Sequence, residues 1–129
     1  MFENAEIIYS YTRKQAIEDG MQWRVSGEYE SMPREVGYKW PVYLTSGVVG
    51  LIERAINNKK HCNDFGGVLW DVLHMSRVMS RSVNDRLREF KVIITGAGRA
   101  KYHTLYIASG PVDIDDPAPC LTIMLPEEN

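Results

Sequence analysis

One stretch of the chain, Asn63 to Ser82, has the longest run of helical periodicity. At about 100° per residue, its apolar residues gather on one broad side, which is a natural core face for a small sheet. These residues are Val68, Leu69, Val72, Leu73, Met75 and Met79. The opposite side carries a narrow row of four residues, which we call the helix stripe: Trp70, His74, Arg77 and Arg81. The residues that follow this helix predict strands and turns.

Three strands are predicted in the C-terminal part of the chain. Phe90–Thr95 and Tyr102–Ala108 are rich in β-branched and aromatic residues, and Gly96–Arg99 between them has the length and the glycines of a hairpin turn. Gly110–Pro119 predicts a turn-rich connection, and Cys120–Leu125 predicts a last strand. Consecutive strands joined in this way favour an antiparallel sheet.

The N-terminal part predicts a compact strand–helix–strand unit. Glu6–Tyr11 is β-prone, Thr12 has the residue type of an N-cap for the helix Arg13–Asp19, and Met21–Val25 alternates as a strand does. Tyr38–Leu44 is aromatic-rich and extended. Because it contains Pro41, which has no backbone N–H, we expect an edge strand or a packed loop here and not a central strand.

A chain of 129 residues has the size of one domain. We therefore predict an α+β fold for residues 1–129 as a single domain. Its small antiparallel sheet would contain the three C-terminal strands, and the N-terminal strands could extend it. The sheet would pack on two main helices, residues 63–82 and Gly47–Asn57.

The overall charge makes binding to nucleic acid or to an anionic membrane less expected, without excluding it. A net charge of -2 and a pI of about 5.9 give no general attraction to nucleic acid or to an anionic membrane. No apolar run approaches the roughly 20 residues that a membrane span needs, and Glu3 and Glu6 do not fit a signal peptide. We therefore expect a cytoplasmic protein that has no membrane partner and whose Cys62 and Cys120 stay reduced.

No established catalytic or metal-binding motif is present. The sequence has no G-x-S-x-G, H-E-x-x-H, C-x-x-C or EF-hand pattern, so we predict neither a metal site nor a cofactor. Gly96–Lys101 (GAGRAK) precedes a strand, whereas a phosphate-binding glycine loop opens a helix. Asp113, Asp115 and Asp116 match no calcium loop and predict a solvated acidic segment. Tyr38 and Trp40 belong to an aromatic-rich third of the chain in which we expect mainly structural packing.

The helix stripe is the strongest candidate for a binding surface. Trp and Arg are enriched at interaction hot spots, and the basic pair Arg77 and Arg81 could bind phosphate or carboxylate groups. The simpler interpretation is that Trp70 packs beneath the N-terminal unit while the arginines are solvated. From the interpretation of the helix stripe as a binding surface, we expect a non-enzymatic interaction protein that binds another protein or itself.

Two alternatives remain. The first is a nucleic-acid-associated accessory protein that uses Arg77 and Arg81 together with Lys59 and Lys60, although the near-neutral charge argues against it. The second is a small enzyme with a site near His74 and Asp71. These last two residues are three positions apart on the helix and so share a side only roughly.

Four segments resemble an uncharacterised family of small proteins encoded by bacteria, plasmids and phages. Tyr11–Gly20 is similar to its YTRxQAIxDG opening, Pro41–Thr45 to its PVxLT segment, Leu69–Leu73 to LWDVL, and Leu121–Glu128 to its C-terminal TIMLPEE. The resemblance implies one domain and a mobile-element neighbourhood. It assigns no activity and no residue role.

Some positions within these segments are not readily explained as requirements of the backbone. They are Arg13, Trp70, Asp71 and the end Pro126–Glu128. For this reason we count Arg13 as a further candidate binding residue, in addition to the four residues of the helix stripe.

Overall fold

A six-stranded mixed sheet lies at the centre of the structure, a computed structural model that describes residues 11–129. The strands are β1 (Gln22–Arg24), β2 (Val42–Thr45), β3 (Arg81–Asn84), β4 (Leu87–Ile93), β5 (Tyr102–Asp113) and β6 (Asp116–Met124), in the order β1-β2-β6-β5-β4-β3. The helices within the described residues are α1 (Arg13–Glu18), α2 (Met32–Val36), α3 (Ser46–Asn57) and α4 (Phe65–Val78). Two 3₁₀ turns, Gly27–Tyr29 and Pro126–Glu128, complete the described elements.

The predicted α+β class is confirmed, as is the antiparallel sheet of three C-terminal strands. β4, β5 and β6 pair antiparallel in sequence order, and Gly96 and Gly98 in the β4–β5 turn have positive φ angles that favour glycine. The sheet is extended by β3 beside β4, and by β2 and β1 beyond β6. β2 runs parallel to β6, with Leu44 opposite Ile123, so the sheet is mixed. The predicted strand Glu6–Tyr11 lies almost wholly outside the described residues.

The expectation of an edge strand around Pro41 is wrong. β2 begins one residue after Pro41 and lies between β1 and β6, with all four of its residues buried. The proline does not interrupt the ladder, because it precedes the strand and contributes only its carbonyl, which accepts a hydrogen bond from the Leu121 N–H.

The two longest helices pack against the sheet around one hydrophobic core. The Thr45 side chain caps the start of α3, and the Asp64 carboxylate accepts a hydrogen bond from the Gly67 N–H at the start of α4. The apolar side predicted for α4 is buried, since Leu69 and Leu73 are fully enclosed. They pack in the same cluster as Phe90 of β4, Leu105 of β5, Ile123 of β6 and Ile52 of α3.

The predicted end of this helix is wrong. α4 stops at Val78, and Met79, expected on the core face, is 64% exposed. Arg81 lies on β3, where it pairs with Glu89 of β4. The residues that the helical pattern would have continued through therefore pair as a strand. Arg81 is no longer on the helix that carries the other three residues of the helix stripe.

The prediction of a turn-rich connection over Gly110–Pro119 is also wrong. β5 and β6 remain paired through this region and turn only at Ile114 and Asp115. The prolines are accommodated in this extension because Pro111 lies opposite Pro119, beyond the residues of β5 that pair with β4. The extension forms a two-stranded arm that reaches α1.

Candidate functional site

Three residues of the helix stripe remain together on the outer side of α4. The rings of Trp70 and His74 stack with their centroids 6.1 Å apart and their planes 10° apart. His74 and Arg77 are exposed, and Trp70 is half-buried but lies outside the core cluster. Arg81 instead forms an ion pair of 3.0 Å with Glu89. The structure therefore brings together Trp70, His74 and Arg77 and separates them from Arg81.

At the end of α4, Arg77 lines a cavity of about 600 Å³, which we call the basic groove. Its floor is the helix-side face of the sheet, with Ile107 and Ser109 of β5 and Leu121 of β6. Its walls are the segment after α2 and the turn between β3 and β4. The wall residues are Gly37, Tyr38, Lys39, Trp40, Ser76, Arg77, Ser80, Ser82, Asn84, Asp85, Arg86 and Arg88.

Two contacts fix the first wall of the groove against the helix. α2 ends at Gly37, whose φ of 117° is in the region that favours glycine. A Cβ atom at this position would lie 3.1 Å from Nε of Arg77, so the guanidinium lies against the glycine backbone. The next residue, Tyr38, places its hydroxyl 2.7 Å from Oγ of the buried Ser76.

Positive charge dominates the basic groove. Of the residues that the structure describes, Lys39, Arg77, Arg86 and Arg88 line it, against the single carboxylate of Asp85. Arg88 donates hydrogen bonds of 2.7 Å from Nε to Ser80 Oγ and from Nη2 to the Ser80 carbonyl, just past the end of α4. Within residues 11–129, Arg77 and Arg86 form no ion pair. Their guanidinium groups are therefore available to an anionic ligand.

The groove also affects the ionisation of Tyr38. Burial raises the pKa of this phenol above its usual range, while the charge of Arg77 acts in the opposite direction. Tyr38 is thus neutral over the physiological pH range and contributes a hydroxyl and an aromatic ring, but no charge.

Sequence reasoning found only one of the four cations in this groove, Arg77. Arg86 lies at the turn between β3 and β4 and Arg88 follows it at the start of β4, and nothing in the local sequence pattern marks them as binding residues. Lys59 and Lys60, grouped with Arg77 in the nucleic-acid alternative, precede α4. The 14 residues of α4 span about 21 Å, so these lysines lie at the far end of the helix and contribute no charge to the groove.

Arg13 is engaged within the protein. Its guanidinium donates hydrogen bonds to the Val112 carbonyl (2.6 Å), to Gln22 Oε1 (2.6 Å) and to Thr122 Oγ1 (3.1 Å). It also lies 4.2 Å from the ring centroid of Tyr43. Arg13 thus connects α1 to the β5–β6 arm and to the outer face of the sheet, away from the basic groove.

Two carboxylates from the acidic segments have structural partners that the sequence did not reveal. Asp113 accepts hydrogen bonds from the N–H groups of Ile114, Lys14 and Arg13, which hold the pKa of this carboxyl below its usual range. Glu128 accepts a hydrogen bond of 2.8 Å from the Thr45 hydroxyl at the start of α3. The acidic end of the chain is therefore attached to the helix layer.

The other candidate chemistry is less organised. Asp71 and His74 are both exposed, and neither lines the basic groove. Among residues 11–129, no group of three or more His, Cys, Asp or Glu side chains is placed to hold a metal ion. In the same part of the chain, no helix has the length and apolar character needed to cross a membrane.

Comparison with known proteins places the chain in a family but gives no activity. Neither the comparison with curated proteins nor that with solved structures found a match. The model of a family of unknown function, DUF6573, matches residues 1–129, which agrees with the resemblance to an uncharacterised family. The chain therefore belongs to the DUF6573 family.

Proposed function

We propose that this chain is a non-enzymatic binding protein whose basic groove holds an anionic group of a partner molecule. The observation that carries the proposal is the grouping of Lys39, Arg77, Arg86 and Arg88 around one concave surface of a chain whose net charge is -2. Guanidinium groups bind carboxylate and phosphate through paired hydrogen bonds, and a cavity of this size is typical of ligand sites.

The side chains of the groove suit binding better than catalysis. Among the described residues, no histidine or cysteine lines it, and the one lining carboxylate, Asp85, lies at the exposed hairpin turn. A general base needs a suitably placed group that can accept a proton beside the reacting atom, and a guanidinium has no acceptor atom for this role. What the groove offers is positive charge, hydroxyl groups and aromatic rings.

The proposal is tested by retention on an immobilised sulfated polysaccharide. We expect the wild-type chain to be retained at low salt despite its negative net charge, and Arg77→Glu/Arg86→Glu to flow through. The matched control is Lys59→Glu/Lys60→Glu, which makes the same change of charge at the other end of α4. A wild-type chain that is not retained, or equal losses for the two double variants, would contradict the proposal.

The outer side of α4 is a second candidate surface. It supports the predicted contact of the helix stripe with a protein partner or with a second copy of the chain. The stacked pair Trp70 and His74 lies outside the core cluster, and a partly exposed tryptophan is typical of interaction hot spots. Light scattering after size exclusion of wild type and Trp70→Ala tests self-association. A wild-type dimer that the variant splits supports it, and a monomer in both cases removes it.

Two hypotheses from the sequence stay predictions. The origin on a phage or plasmid depends on the resemblance alone. The enzyme alternative near His74 and Asp71 depends on two exposed side chains, one of which lies flat on Trp70.

A further inference from the structure

Two further cavities adjoin the basic groove around the segment Gly37–Trp40. One, of about 510 Å³, is lined by Arg24, Arg34, Lys39 and Trp40 among others. The other, of about 470 Å³, is lined by Arg34, Gly37, Tyr38 and Lys39. Lys39 lines all three cavities. The three cavities therefore adjoin the same segment, and we call them together the basic track.

Within residues 11–129, six cations line the basic track, against two carboxylates, Glu30 and Asp85. The cations are Arg24, Arg34, Lys39, Arg77, Arg86 and Arg88. Because the whole chain is negative, the remaining surface carries the excess of acid. A row of cations over three adjoining cavities fits an extended polyanion better than a single phosphate or carboxylate, which one pair of arginines would satisfy.

Aromatic rings accompany these charges. Trp40 is 44% exposed and lines both of the larger cavities, and the ring of Tyr38 lines the groove beside it. Polar side chains also line this groove: the Ser82 hydroxyl donates to the Asn84 carbonyl and Asn84 Oδ1 accepts from the Arg86 N–H, which leaves the Asn84 amide N–H groups and the Ser109 hydroxyl for a ligand. An acidic peptide would use the arginines but has no requirement for an exposed indole, whereas an unpaired base stacks on one.

We propose that the basic track binds single-stranded nucleic acid. Arg77, Arg86 and the cations beyond Lys39 contact successive phosphates, and Trp40 stacks on an unpaired base. A duplex cannot use Trp40 in this way, since its bases are already stacked on one another. This inference rests on the proposed function of the groove and adds the class of its partner.

The test is fluorescence anisotropy with a labelled oligothymidylate of about twelve nucleotides, within the site sizes of known single-strand binders. We expect Trp40→Ala to weaken binding at least about fivefold, as loss of one stacked base does, and Trp40→Phe to retain most of the affinity. Arg77→Glu/Arg86→Glu and Arg24→Glu/Arg34→Glu should each weaken binding at least about tenfold. The control Lys59→Glu/Lys60→Glu should stay within about twofold.

Salt provides a second readout. The logarithm of affinity should fall with the logarithm of salt concentration, by about 0.7 for each phosphate neutralised, and the slope should be smaller for each groove variant than for wild type. Circular dichroism of every variant confirms that a loss of binding does not reflect a loss of fold.

Two parallel arms use a labelled polyglutamate peptide and the same oligonucleotide as a duplex. Binding of the peptide without the single strand would overturn this inference and leave the proposed function of the groove intact. Equal binding of single strand and duplex, or a Trp40→Ala variant that binds as wild type does, would overturn the stacking that defines the inference. Failure of every probe, together with no retention on the polysaccharide, would overturn both.

Discussion

The hydroxyl of Tyr38 lies 2.7 Å from Oγ of Ser76, a residue 38 positions later in the chain. Ser76 Oγ also lies 2.6 Å from the Leu73 carbonyl, to which it donates its one hydrogen. Tyr38 must therefore be the donor in the bond between the two hydroxyls. This bond attaches the segment after α2 to the last turns of α4 and so fixes one wall of the basic groove.

We predict that Tyr38→Phe lowers the free energy of unfolding by about 1 kcal/mol, because it removes one partly buried hydrogen bond and leaves the ring in place. Denaturant titration measures the loss. The control is Tyr102→Phe, at a tyrosine that is 67% exposed, and it should change stability by less than about 0.5 kcal/mol. Equal effects of the two substitutions would show that the hydroxyl bond does not stabilise the wall.

The lowered pKa of Asp113 leads us to predict that the folded protein loses stability in acid. Its folded-state pKa lies below the ordinary value of 3.8, so the unfolded chain binds more protons in that range and stability rises with pH. The contribution is complete above about pH 4 and disappears as pH falls through the lowered pKa. Asp113→Asn should therefore flatten the acid limb of the unfolding curve. Asp115→Asn, at an exposed neighbouring carboxylate, should leave this limb unchanged, and the reverse result would refute the assignment.

The substitution Asp113→Asn should also change amide hydrogen exchange at the start of α1. The Asp113 carboxylate accepts hydrogen bonds from the Arg13 and Lys14 N–H groups, so amide hydrogen exchange at these two positions should accelerate in Asp113→Asn. Exchange rates that match wild type would mean that the arm does not hold this end of the helix.

Two glycines of α3 should respond in opposite directions to alanine. A Cβ at Gly47 would lie 2.6 Å from Cδ1 of Leu125 and 2.9 Å from Oε1 of Glu128, the oxygen that accepts from Thr45. Gly47→Ala should therefore displace the side-chain ends of Leu125 and Glu128 and cost about 1 kcal/mol, mainly through the lost hydrogen bond between Thr45 and Glu128. Gly50 has open space at this position, and Gly50→Ala should gain about 0.5–1 kcal/mol from helix propensity. Thermal unfolding of both variants decides the matter, and two shifts of the same sign would be inconsistent with the packing described.

Trp23 and Trp70 should differ in their effect on stability. Trp23 packs on the core and meets Phe65 edge to face at 5.8 Å, so Trp23→Ala should cost about 3 kcal/mol. Trp70 lies outside the core cluster, and within residues 11–129 its stacking partner is the exposed His74, so Trp70→Ala should cost about 1 kcal/mol or less. Denaturant midpoints of the two variants compare them directly. A larger loss for Trp70 would favour structural packing over a contact role.

Several features of the fold were predictable because they depend on neighbouring residues. The spacing of Val68, Leu69, Val72 and Leu73 specifies which side of α4 is buried, whatever that side packs against. The glycines between β4 and β5 supply the positive φ angles of a hairpin turn. Thr12 was predicted as the cap of α1 for the same local reason, and its hydroxyl accepts a hydrogen bond from the Gln15 N–H.

Other features depended on contacts between distant parts of the chain. The end of α4 is set by pairing of Arg81 with Glu89, although the helical pattern continues past it. β2 became an internal strand because β6 pairs beside it, and the prolines of the β5–β6 arm lie opposite each other. The basic groove joins Lys39, Arg77 and Arg86 from three separate segments. Local propensity is set by adjacent residues, whereas strand partners and cavities are set by long-range packing. The sequence alone therefore determined most of the helices and strands and their buried sides. Only the tertiary structure decided where these elements end and which cations share a surface.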